Sequence, residues 1–146
     1  MESVRICGDL HKISDINIIL INEQKQDNDS ILYFISLFSK NGVFNYFSFY
    51  NRALAQLQLG RLNEFLQTHC IYDFAIVDKS FLINMQNTKH VKLYANQQNE
   101  CVVRATFTNE RKIDIYHGFH FHEAEKYTKA YNDQLARYSY VHDINQ

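Results

Sequence analysis

The densest group of side chains able to do chemistry is His117-Gly118-Phe119-His120-Phe121-His122-Glu123. On an extended segment, residues two apart project from the same side about 7 Å apart along the strand. His120 and His122 have that spacing and would present two imidazoles to one metal ion. His117 supplies a third ligand, with Glu123, Glu125 or His142 near enough in sequence to complete the shell, and three protein ligands with one open position make a catalytic zinc site. A metal-dependent enzyme is therefore one reading of the segment. The other is a strand-to-helix connection carrying several histidines and two packed phenylalanines.

Nucleophile chemistry has two starting points. Cys7-Gly8-Asp9-Leu10-His11 collects a thiol, a carboxylate and an imidazole, and His69-Cys70 with Asp73 repeats the residue types. Such groups are recognised by geometry in space, and adjacency in sequence does not supply it. A small buried thiol at a strand end is the simpler expectation for Cys7. The chain contains no G-x-x-x-x-G-K-[ST], G-x-G-x-x-G, G-x-S-x-G or H-E-x-x-H, so the phosphate-cradling, nucleophile-elbow and zinc-protease mechanics those patterns encode have no carrier. No cofactor is implied, and the balance leans away from an enzyme.

The elements that must position these residues follow from hydrophobic period. Ile16, Ile18 and Leu20 share one side of a strand and Ile19 and Ile21 the other, which predicts a central strand buried on both faces. ILYFISLF and VFNYFSFY flank Ser39-Lys40-Asn41-Gly42, where Asn-Gly predicts a hairpin with a type I′ turn. With Asn41 and Gly42 as the loop, Lys40 opposes Val43, Phe34 opposes Phe49 and Tyr33 opposes Tyr50. A buried helix over residues 31–39 is the competing reading. Asn51 is an N-cap for RALAQLQLGRLNEFLQ, in which Ala55, Leu59, Leu62 and Leu66 recur at helical spacing. YDFAIV and FLINM, separated by Asp78-Lys79-Ser80, read as two short strands. Three alternating segments from His90, Cys101 and Lys112 predict an antiparallel meander, and a second helix carries the stripe Ala124, Tyr127, Tyr131, Leu135 and Tyr138.

The fold class expected is α+β: a single domain spanning 1–146, with a mainly antiparallel sheet of meanders and hairpins and two principal amphipathic helices. A degenerate βββα duplication over 16–67 and 90–138 is a further possibility, against chance recurrence.

Composition bounds the function class. The 146 residues are 46% hydrophobic, and 15 Lys and Arg balance 16 Asp and Glu to a net charge of −1, so any charge-based recognition must be local. No apolar run approaches the roughly 20 residues of a membrane span, and the opening MESVRICGDL, without a basic n-region followed by an apolar h-region, does not predict a secretory leader. Three widely spaced cysteines fit reduced thiols. These features predict a cytoplasmic protein without membrane contact. They leave its oligomeric state open.

The meander's alternation puts Lys92, Tyr94, Arg104, Thr106, Lys112 and Tyr116 on the face away from the core, with His90 nearby and Arg104 between Lys92 and Asp114. Cations mixed with aromatic rings suit a protein partner, because Tyr and Arg are enriched at interface centres. They also suit nucleic acid, through stacking and phosphate contact. The reading carried forward is a small cytoplasmic binding protein with a protein partner, comparable in scale to inhibitors, immunity proteins and accessory factors of mobile elements. The metal-dependent enzyme and the nucleic-acid-binding module are the alternatives.

Overall fold

The computed structural model describes residues 2–145, with side chains described as far as Tyr138. Among them, ten strands paired antiparallel and two helices form an α+β fold. Its backbone gathers into two compact units, one ending at Asn84 and the other beginning at Met85.

The first unit opens with a hairpin of β1 (Ser3–Ile6) and β2 (Asp9–Lys12). Its two turn residues, Cys7 and Gly8, both take positive φ, 48° and 87°. That is the backbone of a type I′ turn, whose twist matches the strands it joins. The turn leaves the Cys7 thiol exposed, against the expectation of a buried one. A 3-10 turn at Ile13–Asp15 leads into β3 (Ile16–Lys25), β4 (Ile31–Ser39) and β5 (Gly42–Phe49). Helix α1 (Arg52–Thr68) and the hairpin of β6 (Phe74–Val77) and β7 (Phe81–Asn84) complete the unit.

The sheet order β5-β4-β3-β7-β6 makes β3 the central strand, and Ile16 to Ile21 are all buried, as expected of a strand covered on both faces. Asn84 reinforces the junction. Its side-chain amide is buried and donates to the carbonyl oxygens of Ile16 (2.7 Å) and Ile13 (3.3 Å). The β6–β7 loop is held by Arg52, which bonds both Ser80 Oγ (2.9 Å) and the Glu23 carboxylate.

The β4–β5 hairpin forms where the sequence puts it, in a different register. Ser39 pairs with Gly42, so Lys40 and Asn41 form the loop, and only Gly42 takes positive φ, 142°. The type I′ turn at Asn41-Gly42 is therefore absent. Farther along, Phe47 bulges out at φ 52°, after which Phe34 faces Ser48 and Tyr33 faces Phe49. A bulge adds one residue to one strand only, which a count of alternating residues cannot register.

Helix α1 is capped as expected, the Asn51 side chain accepting from the Ala53 N–H at 2.7 Å. It buries Ala55, Leu59 and Leu66 against β3, β4 and β5. Its C-terminus closes with Ile71 N–H on Leu66 O (2.8 Å) and Cys70 N–H on Gln67 O (3.0 Å), the paired bonds of a Schellman motif. Cys70 sits at φ 60°, where such motifs usually place glycine, and Leu66 and Ile71 are both buried in the same apolar core. Gly60 packs against nothing: a Cβ added there would meet no atom within 4 Å.

The second unit begins with a 3-10 turn at Met85–Asn87 and continues through β8 (Thr88–Ala95), β9 (Cys101–Phe107), β10 (Lys112–Gly118) and α2 (Phe121–Asn145). Val91, Cys101, Val103 and Ala105 are buried under α2, which brings Ala124 and Tyr131 to full burial and Tyr127, Leu135 and Tyr138 to partial burial. This is the stripe the helical spacing predicts. Asn132 on α2 donates to the Val91 carbonyl at 3.2 Å.

One order of elements occurs twice: hairpin, 3-10 turn, three-stranded meander, helix. The likeness extends to detail. The first meander strand is irregular just after each 3-10 turn, between Ile16 and Ile18 and between Thr88 and His90. In each, the residue after the second strand bonds the last residue of that turn, Lys40 N–H to Asp15 O (2.9 Å) and Thr108 N–H to Asn87 O (2.8 Å). The recurrence begins earlier than residues 16 and 90, because a hairpin precedes each meander. The hairpin β6–β7, first in the second series, extends the sheet of the first.

Candidate interaction surface

The outward face of the second meander is built by two cross-strand registers. Lys92 pairs with Arg104 and Arg104 with Asp114, the order that the alternation predicts. Directly opposed residues of an antiparallel pair share a face, so the three side chains stand in a row. Arg104 Nε donates to Asp114 Oδ1 at 2.7 Å and Nη2 to Oδ2 at 3.4 Å, and its guanidinium carbon lies 5.5 Å from the centre of the Tyr94 ring. The Asp114 carboxylate, first by its hydrogen bonds and then by its charge, raises the affinity of Arg104 for its proton. Lys92 and Lys112 are exposed and make no ion pair among the described residues, so they carry the uncompensated positive charge of this face.

Two members of the expected set do not contribute to this face. Thr106 pairs with His90 and Lys112 yet is only 3% exposed, which removes it from any contact surface. Tyr116 is on the wrong side. A bulge at Ile115 shifts β10 by one residue, so Tyr116 pairs with the core residue Val103. Its ring packs on Tyr127 of α2 at 5.5 Å and its hydroxyl donates to the His120 carbonyl at 3.4 Å. His117 takes the outward position, pairing with Val102 and bonding the Glu100 carboxylate. That hydrogen bond holds the Glu100 carboxyl below the usual glutamate range.

The metal-ligand set does not assemble. His117 is engaged by Glu100, His120 lies exposed between β10 and α2, and His122 is in the first turn of α2 with its ring against Phe121. The geometry that joined His120 to His122 needs an extended chain, and the helix beginning at Phe121 ends it. Among the described residues no three His, Cys, Asp or Glu side chains converge. The His142 side chain lies outside them.

The chemistry around Cys7 resolves differently. Asp9 and His11 are joined by Tyr46 of β5: the Tyr46 hydroxyl donates to Asp9 Oδ2 at 2.7 Å and meets His11 Nε2 at 2.5 Å. The single hydroxyl proton goes to Asp9, so His11 Nε2 must carry a proton and donate to the tyrosine oxygen. His11 and Tyr46 are both buried, and burial, then the bond to Asp9, pushes the Tyr46 hydroxyl pKa well above its ordinary value. A phenol held protonated is no nucleophile. The chain instead ties the β1–β2 hairpin to β5. Tyr46 lies 35 residues from His11, and no short-range pattern signals the link. His69 and Cys70 serve the C-terminus of α1, His69 Nδ1 facing the Phe65 carbonyl at 2.9 Å.

Compared with family models, curated proteins and solved structures, the chain matches none. Among the described residues no helix is long and apolar enough to cross a membrane.

Proposed function

We propose that the protein acts by binding another protein through the outward face of β8, β9 and β10, with Arg104 at the centre and Lys92, Tyr94 and Lys112 around it. The observation that carries this reading is the fixed guanidinium. Arg104 is held by Asp114 on one side and Tyr94 on the other, so little rotamer freedom remains to be lost on association, a cost that reaches about 0.5–1.5 kcal/mol for an unrestrained side chain. Lys92 and Lys112 select a partner surface bearing carboxylates. Nucleic acid fits less well, since sheet-based readers stack two or three bases on aromatic rings, and with Tyr116 turned to the helix Tyr94 is the one ring left in the set. The cytoplasmic reading rests on the thiols: Cys7 and Cys70 are free and exposed, a state that a reducing compartment maintains.

The test is affinity capture from the native host with the natural protein and with Arg104→Glu. Reversing the central charge should weaken partner binding more than tenfold, above about 1.5 kcal/mol, while the fold is retained because the position is partly exposed. Val103→Asp, the neighbour facing the core at 0% exposure, should instead cost several kcal/mol of stability through burial of an unpaired charge. Arg104→Glu retaining every partner at full strength would refute the assignment of this face.

A further inference from the structure

A second site lies in the first unit, on different elements. The β1–β2 hairpin, the bulge of β5 and one side of α1 enclose a cleft of about 240 Å³. Its floor is apolar: Val4, Ile6 and Ile35 are buried core residues, and Leu62 of α1 is packed against that core. Phe47 and Phe65 are in the lining and remain 44% and 42% exposed, so large apolar rings stay in water where the cleft opens. Phe47 reaches this place only because its backbone bulges at φ 52°, a strained conformation for an aromatic residue that must be offset elsewhere. The charge of the lining has one sign. Arg5 and Arg61 belong to it, and Asp and Glu are absent from it. Arg5 donates to the Gly8 carbonyl at 2.8 Å, whereas Arg61 is exposed and has no hydrogen bond or ion pair among the described residues.

We propose that this cleft binds a small apolar monocarboxylate, its hydrocarbon body over Val4, Ile6 and Ile35 between the two rings and its carboxylate on Arg61. The size argues for a compact ligand, since sites for drug-sized molecules span roughly 300–1,000 Å³. The charge argues for an anion, because the lining carries two guanidiniums and no carboxylate, and a planar carboxylate matches the uncommitted fork of Arg61 with two parallel hydrogen bonds. The Cys7 thiol, exposed at the same lining, reports on occupancy without taking part.

The experiment titrates the isotope-labelled full-length protein with decanoate and, separately, with decanol, which has the same chain and no charge. Saturable amide shifts should be confined to residues 4–7, Ile35, Phe47 and residues 58–65, with decanoate bound at least tenfold more tightly than decanol. Arg61→Gln should abolish that preference and leave decanol affinity unchanged. In the natural protein, decanoate should slow alkylation of Cys7 while Cys70, exposed and outside the cleft, keeps its rate as internal reference. Equal affinity for the two probes, or a preference that survives Arg61→Gln, overturns the assignment of the anion. Absent saturation, shifts elsewhere, or an unprotected Cys7 overturns the site, and the Cys7 measurement needs no variant. Arg104→Glu should not change decanoate binding, so this site and the β8–β10 face stand or fall separately.

Discussion

Replacing Tyr46 by Phe removes one oxygen from the chain that links Asp9, Tyr46 and His11, and leaves the ring with its edge contact to His11 at 5.7 Å and its stack on Phe44 at 6.5 Å. The consequences for the two partners differ. Asp9 is exposed and exchanges its lost bond for water. His11 is 7% exposed, so its Nε2–H has no solvent to turn to, and an unsatisfied buried donor costs about 1–3 kcal/mol. The expected loss is about 2 kcal/mol, equivalent to a fall of roughly 6 °C in Tm for a chain of this length. Urea unfolding should show a lower midpoint with an unchanged slope, because the surface exposed on unfolding is the same. His11→Leu in the Tyr46→Phe background should cost less than in the natural protein, since it removes the orphaned donor.

The same bond chain sets an alkaline dependence. The raised folded pKa of Tyr46 contributes stability that is complete below the ordinary tyrosine value of 10.0 and is lost as pH rises from there toward the folded value. Tyr46→Phe should lack that component of alkaline loss. A Tyr46→Phe protein within 0.5 kcal/mol of the natural one, with the same decline above pH 10, would refute the assignment of the hydroxyl as the shared partner.

Two further outcomes are expected. Gly60→Ala should raise stability by about 1 kcal/mol, the helix-propensity difference, because the added methyl meets nothing within 4 Å; a fall in Tm would mean that the helix surface there is covered. Glu100 should titrate below the ordinary glutamate value and move back up toward it in His117→Ala, as read by carboxyl NMR. Its stabilising contribution is present above the ordinary value and lost as pH falls through the depressed one, and an unchanged Glu100 midpoint in the variant would remove His117 as the cause.

What was legible in the chain was whatever depends on period and on residues close in sequence. The run from Ile16 to Ile21 has no polar alternation, and β3 is accordingly covered on both faces. Asn51 before an amphipathic stripe is a local cap, and it forms. The row Lys92–Arg104–Asp114 follows from two short loops and strict alternation, and it holds because β8 from His90 onward and β10 up to Asp114 pair regularly with β9. The register of the strands departs from the alternation where a turn moves by one residue or one strand gains a residue that its neighbour lacks. The extra residue at Ile115 sends Tyr116 to the helix and His117 outward, and the shifted turn at Lys40-Asn41 with the bulge at Phe47 repairs Tyr33 to Phe49. A bulge is selected by packing across the sheet, and alternation along one strand is blind to it. The hairpin β1–β2 escaped notice because four-residue strands carry too little period to read. Only the tertiary structure could insert β7 beside β3, bring Tyr46 between Asp9 and His11, and bend the chain at Phe121 so that three neighbouring histidines part. The first two of these arrangements join residues dozens of positions apart, and they are set by which faces can bury one another.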